Sequence, residues 1–275
     1  MIELEAKIAA WAEEEDEVRA AAVVGSRART EVPADEWSDL DVVLFARDPN
    51  TLLERKDWVG RFGDVRLTFL EPTAVGGQRE RRVLYDDGAD VDFSVVPLAI
   101  LDDPAAVSVA ARGIRVLVDK DGVLEQRLAE LPGRQPSAPP TQHDLDELTA
   151  DFFYHAVWAA RKLRRGELFT AKLCIDGYLK WQLLKLLEWE ARSRDPDTDT
   201  WHNGRFLERW ASPQALAELK EAYARYDEAD VTRALWATVE LFRRVAQEAA
   251  DRLGLAYPAD ADAFATQKTG RLLKD

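Results

Sequence analysis

Ten residues near the middle of the chain constrain its fold more than any others. Positions 131–140 read Leu-Pro-Gly-Arg-Gln-Pro-Ser-Ala-Pro-Pro. Four prolines and a glycine in so short a stretch exclude a helix interior and a central strand alike. With 275 residues in all, each side is long enough for a hydrophobic core of its own. The chain is therefore expected to divide into a first domain over 1–131, a proline-rich linker over 132–142, a second domain over 143–255 and a tail over 256–275.

The two sides are patterned differently. Before the linker, short β-branched runs alternate with helical stretches. An amphipathic helix is expected over 2–20, then buried strands at 21–24 and 40–45, separated by a polar loop containing Pro33. A helix at 51–60 and a half-buried strand at 65–70 follow. Strands at 82–85 and 91–96 flank Asp86-Asp87-Gly88, a hairpin signal. Residues 114–118 suit an edge strand. After the linker, apolar residues recur at three- and four-residue spacing over 144–165, 168–194, 213–226 and 230–253, punctuated by Gly166, Pro196 and Gly254. The pattern after Pro258 is too weak to place. The expected class is α+β, a mixed sheet with flanking helices followed by a helical bundle.

The chemistry concentrates in Val23-Val24-Gly25-Ser26-Arg27-Ala28 and Trp37-Ser38-Asp39-Leu40-Asp41-Val42. A glycine directly after a strand lets the backbone turn sharply and approach a ligand. Ser26 adds a hydroxyl, and the N–H groups beside it form a nest for phosphate oxygens. Asp39 and Asp41 stand two apart at the start of a strand, so their carboxylates leave the same face. Two such carboxylates repel unless a divalent cation lies between them. Mg²⁺ binds through one or two carboxylates plus substrate phosphates, which suits this pair. A third carboxylate is expected from a neighbouring strand. Asp92 is preferred because it lies deeper in an apolar run than Asp90, which shares its face.

With these residues in view, the chain resembles the polymerase-β-like nucleotidyltransferases, and among them the aminoglycoside 6-adenylyltransferases (streptomycin adenylyltransferases). Gly25-Ser26-Arg27-Ala28 is similar to the family's Gly-Ser-x-Ala loop, and Asp39-Leu40-Asp41 to its Asp-x-Asp. Lys56-Asp57-Trp58-Val59-Gly60-Arg61-Phe62-Gly63 resembles a Trp-x-x-x-Phe-Gly stretch. Leu70-Glu71-Pro72, Val91-Asp92-Phe93-Ser94-Val95-Val96-Pro97 and Trp201-His202-Asn203-Gly204-Arg205-Phe206-Leu207 extend the resemblance over about residues 1–255. The loop from Thr30 to Glu36 departs from the family, and Phe152-Phe153-Tyr154-His155 matches it only in character.

The resemblance implies transfer of AMP from ATP to a hydroxyl of a streptomycin-like aminoglycoside, with release of pyrophosphate and loss of antibiotic action. Asp39, Asp41 and Asp92 would hold one or two Mg²⁺ ions, and Asp92 alternatively takes the acceptor's proton. Gly25, Ser26 and Arg27 would bind nucleotide, joined by Lys172 from the helical half, with Arg29 as another cation for the triphosphate. An acceptor pocket is expected between sheet and bundle, lined from Asp176, Glu188 and Trp201, with Trp158 and Trp181 as further candidates. His155 reads as a packed histidine. The competing expectations are another small hydroxylated acceptor or a protein, and a non-catalytic relative that binds nucleotide or a partner.

Charge bears on the choice. The formal net charge is -14 at pH 7, which disfavours nucleic-acid backbones as partners and favours a cationic small molecule. One cysteine, Cys174, rules out an internal disulfide and sits in an apolar-periodic stretch as a core residue. No secretory leader or membrane span is expected, so the reading is a cytoplasmic enzyme, monomeric or homodimeric.

Overall fold

The computed structural model describes residues 1–29, 34–73, 77–133 and 135–274. Pro33 and the rest of the segment 30–33, expected as part of a polar loop, lie outside the described residues. The chain divides into two units, Met1–Gln135 and Pro136–Asp275. No described helix is long and apolar enough to cross a membrane.

The first unit is α1 (Ile2–Glu14), β1 (Val18–Val24), β2 (Leu40–Ala46), α2 (Pro49–Glu54), β3 (Val65–Pro72), β4 (Arg79–Tyr85), β5 (Asp90–Val96), α3 (Pro104–Ala110), β6 (Arg115–Asp119) and α4 (Val123–Glu130). Its described strands form one six-stranded sheet in the order β3-β4-β5-β2-β1-β6. All neighbours run antiparallel except β2 and β5, which are parallel. The sheet is mixed, as expected.

Side-chain alternation divides this sheet into two faces. Leu40, Val42 and Leu44 of β2 and Val91, Phe93 and Val95 of β5 join a core with Ile8, Trp11, Trp58 and Phe62. The rings of Trp11 and Trp58 stack at 5.0 Å, and Trp58 meets Phe93 edge-on at 4.9 Å. On the opposite face Ala20, Ala22, Phe45 and Val96 pack with Leu101 and Leu124. Asp39, Asp41 and Asp92 share the parity of that second face. They lie near the N-terminal ends of β2 and β5.

Two boundaries in this unit differ most from expectation. The first helix stops at Glu14 rather than near residue 20, because Val18 pairs with Ala46 and Ala20 with both Phe45 and Asp119. Ladder bonds on both sides outweigh the helix preference of an alanine-rich run. The helix expected over 51–60 is α2, capped by the Asp48 carboxylate accepting from Thr51 N at 3.1 Å, followed by a separate 3₁₀ turn at Val59–Arg61.

The second unit holds α5 (Gln142–Arg164), α6 (Leu168–Leu173), a π-turn (Cys174–Tyr178), α7 (Leu179–Arg194), α8 (Leu207–Trp210), α9 (Pro213–Glu221), α10 (Glu228–Leu253) and α11 (Ala259–Lys274). A capping box of Thr141 and Asp144 starts α5. Asp227 caps the start of α10, and Gly254 ends it at φ 69°. Phe152 and Phe242 stack 3.7 Å apart at the centre of the bundle. The last segment, unplaced by its pattern, is the helix α11. It packs on α5 and is held by Arg243, whose Nε donates to Asp262 at 2.6 Å, and by Tyr257, whose hydroxyl donates to Asp262 at 2.8 Å. Those partners lie on another helix or in the preceding loop, so a period count within 259–274 does not reveal them.

Candidate metal and phosphate site

Asp41 on β2 faces Asp92 on β5 directly in the parallel ladder. Asp39 lies just before β2 on the same parity. One carboxylate oxygen from each of the three comes within 4.8 Å of the other two. Asp39 and Asp41 are half-buried, while Asp92 is 6% exposed. Asp90, the other sequence candidate, is outside this group; it lies 3.8 Å from Arg82 with its side chain 46% exposed.

Three carboxylates this close repel one another unless a cation or protons compensate. Burial pushes the Asp92 carboxyl up to about 7, against the pull of Arg82; Glu80, Asp41 and Asp39 add to the rise. Arg82 Nε is 2.6 Å from Asp92 Oδ1, although that oxygen meets no hydrogen-bond alignment. The contact is a close ion pair and leaves lone pairs of Asp92 available. An all-oxygen set of hard, anionic donors fits Mg²⁺.

The turn after β1 stands beside this group. Val24 pairs with Asp41, and Gly25–Arg27 then form a 3₁₀ turn with Gly25 at φ 67°. A Cβ on Gly25 would lie 2.0 Å from Asp41 Oδ2. Glycine is thus required twice, for its left-handed backbone and for room beside a carboxylate. Gly113 serves the same turn from behind. At φ 147°, its added Cβ would meet the backbone of Ala28 and Arg29 at 2.7–2.8 Å.

Ser26 is 3% exposed, and its hydroxyl has no hydrogen-bond partner among the described residues. A buried hydroxyl left unpaired costs about 1–3 kcal/mol, which a phosphate oxygen would relieve. Arg27, assigned from sequence to the nucleotide, donates from Nε to the Asp39 carbonyl at 2.8 Å and from Nη2 to the Ser38 carbonyl. Its guanidinium ties the turn to the start of β2.

Sequence reasoning missed the polar wall behind Asp92. Arg82 also donates to Glu71 Oε1 at 3.0 Å, and Ser94 Oγ donates to Glu80 Oε2 at 3.1 Å. Burial raises the Glu80 carboxyl, opposed by its bond from Ser94. The signal was present: counting outward from Asp86-Asp87-Gly88 pairs Leu84 with Asp90, Arg82 with Asp92 and Glu80 with Ser94.

Lys172 and the acceptor-lining candidates belong to the second unit. Lys172 Nζ donates to Asp176, four residues on, and to the Ala224 carbonyl. Two residues assigned to different ligands are thus each other's partners. Glu188 is half-buried, raised by burial against the pull of Arg192, which is 3.9 Å away. Trp201 stands in the turn before α8, 5.1 Å from the His202 ring. Trp158 packs against the helical core, and Trp181 is 54% exposed. His155 Nδ1 lies 2.7 Å from Asp151 Oδ1, and its ring lies 4.2 Å from that of Tyr178, tilted by 41°. Cys174 is buried, and burial pushes its thiol up to about 11, in keeping with a core role.

Comparison with known proteins adds independent findings. A family model described as streptomycin adenylyltransferase matches residues 2–268. Aminoglycoside 6-adenylyltransferase of Bacillus subtilis (strain 168) is 23% identical over 263 residues, covering 93% of this chain and 91% of that protein. The protein of the same name from Campylobacter jejuni is 22% identical over 255 residues, covering 90% and 87%. A solved structure of an aminoglycoside 6-adenyltransferase from Bacillus subtilis aligns over 98% of this chain and 97% of its own, with 19% identity and a TM-score of 0.49.

Proposed function

The chain belongs to the streptomycin adenylyltransferase family, and from that premise we propose that it transfers AMP from Mg²⁺-ATP to a hydroxyl of a streptomycin-like aminoglycoside. Pyrophosphate leaves, and the antibiotic is inactivated. The coarse activity, adenylyl transfer to an aminoglycoside, rests on the family and its relatives. The nucleotide, the metal and the acceptor are our reading of the site.

One observation carries that reading: three clustered carboxylates stand beside a glycine-serine turn whose buried hydroxyl lacks a partner. Asp39, Asp41 and Asp92 are the residues that would hold Mg²⁺. When bound, the metal supplies positive charge against the α-phosphate and the departing pyrophosphate. Ser26 and the N–H groups of its turn hold the β- and γ-phosphates. Arg27 fixes the backbone from which Asp39 projects. Asp92, 2.6 Å from Arg82 Nε, either completes the metal set or, as the alternative, takes the proton of the acceptor hydroxyl. Arg82 in turn keeps countercharge beside the site throughout. The net charge of -14 draws in a cationic acceptor.

Pyrophosphate release is the test. Purified protein with Mg²⁺-ATP and a panel of aminoglycosides should release pyrophosphate with streptomycin and yield an adenylylated product by mass. Release only with a different aminoglycoside would remove the streptomycin assignment and keep the chemistry. No release with any member would overturn the proposal.

A further inference from the structure

The second unit contains a cavity of about 390 Å³ that the reaction above does not use. It lies at the C-terminal end of α5 against α11, lined by Trp158, Arg161, Lys162, Arg164, Arg165 and Leu272. The volume lies within the range of small-molecule sites, about 300–1,000 Å³. Its chemistry runs against that of the whole chain. In a protein of net charge -14, four of six lining residues are basic and none is acidic.

Cations at a helix C-terminus have an ordinary explanation, since they complement the helix dipole. Neighbouring helices show what that explanation looks like here. In the last turn of α7, Arg194 Nε donates to Glu190 at 2.8 Å and Arg192 Nη1 to Thr200 at 2.7 Å. In the last turn of α10, Arg252 Nη1 donates to Glu190 at 2.9 Å. At the end of α5, Glu167 accepts from Lys162 at 2.7 Å and pairs with Arg165 at 2.8 Å. Arg161 and Arg164 are exposed and have neither an ion pair nor a side-chain hydrogen bond among the described residues. One carboxylate therefore pairs with two of the four cations. Two planar guanidinium forks are left beside the cavity, the donor geometry that phosphate takes best.

The cavity also has an aromatic wall. Trp158 is half-buried against the helical core, and Lys162 Nζ lies over its ring, 5.0 Å from the centroid. Leu272 of α11 closes the apolar side. A small inorganic anion would use the guanidinium groups and leave Trp158 and Leu272 idle. A ligand with a flat aromatic group and two or more phosphates would use all of them. We propose that this cavity binds a nucleoside phosphate, the base against Trp158 and the phosphates on Arg161 and Arg164. It is made wholly by the second unit, so it stands independently of adenylyl transfer.

The test is calorimetric titration of the full chain with ADP in EDTA. ADP should bind at least about tenfold more tightly than pyrophosphate, which has the same two phosphates without the nucleoside. The double variant Arg161→Gln/Arg164→Gln should lose about tenfold or more in ADP affinity, with its circular dichroism unchanged. Trp158→Leu should bring ADP close to pyrophosphate. Asp39→Asn, which alters the sheet site, should leave the isotherm as it was. Three outcomes would overturn the proposal. They are no ADP binding at millimolar concentration, an unchanged affinity in the double arginine variant, and equal binding of ADP and pyrophosphate.

Discussion

The Cβ that Gly25 lacks would sit 2.0 Å from Oδ2 of Asp41. The glycine after β1 and the aspartate of β2 therefore occupy one volume between them. The turn motif and the carboxylate pair are, in the fold, a single constraint. Each holds its place because the other is what it is.

The first prediction follows directly. Gly25→Ala should lower kcat/KM for adenylyl transfer by about 100-fold or more, through a displaced Asp41 and a strained φ. Far-UV circular dichroism should remain that of the parent, because the change touches one turn. Activity within a factor of a few of the parent would mean that the turn yields without disturbing the carboxylates.

Removing a carboxylate should separate activity from stability. Asp39→Asn or Asp41→Asn should cost more than about 100-fold in turnover. Without divalent cation, each should raise the melting temperature by about 2 °C or more, by relieving like-charge repulsion. Mg²⁺ should stabilise the parent in a thermal scan, and that increment should shrink in either variant. A parent whose melting temperature ignores Mg²⁺ and Mn²⁺ alike would count against the metal site.

Arg27 donates to the Ser38 and Asp39 carbonyls, so its loss should act through Asp39. Arg27→Ala should reduce kcat about tenfold or more, with a smaller change in KM for ATP. A requirement for more Mg²⁺ should accompany it. A rise in KM for ATP alone would instead mark Arg27 as a nucleotide contact.

Lys180 gives a pH signature in the second unit. It is 8% exposed, its Nζ donating to the Ile175 carbonyl at 3.0 Å and to Thr238 Oγ1 at 2.8 Å. Burial lowers its pKa from 10.5 to about 8, with Asp176 opposing. Between those values the unfolded chain binds the proton that the fold has released, so stability from this group rises with pH across the window from 8 to 10.5. Below 8 the cost of burying the cation is present in full; above 10.5 it vanishes. The stability difference between the parent and Lys180→Met, followed by urea unfolding from pH 7 to 10, should shift in the parent's favour by up to about 3 kcal/mol. A difference independent of pH would show that Lys180 keeps its ordinary pKa.

Much of the site was legible because its signals are local. Gly25-Ser26 after one strand and Asp39-Leu40-Asp41 at the next depend only on a turn and on the two-residue period of a strand. Hairpin counting from Asp86-Asp87-Gly88 also places Arg82 opposite Asp92, although hydrophobic patterning alone passes over it. The i,i+4 spacing of Lys172 and Asp176 likewise signals the pair that forms.

What the sequence by itself determined is the α+β class and the shared face on which Asp39 and Asp41 stand. Those follow from steric rules acting over a few residues. Tertiary structure alone decided that β2 runs parallel beside β5, which sets Asp41 against Asp92 across about fifty residues of chain. It also decided that β1 begins at Val18 inside a run with helical preference, and that residues 259–274 form a helix held by Arg243 and Tyr257. In each case the deciding bond joins segments separated in sequence. Its free energy depends on which surfaces are buried together, and no local period records that.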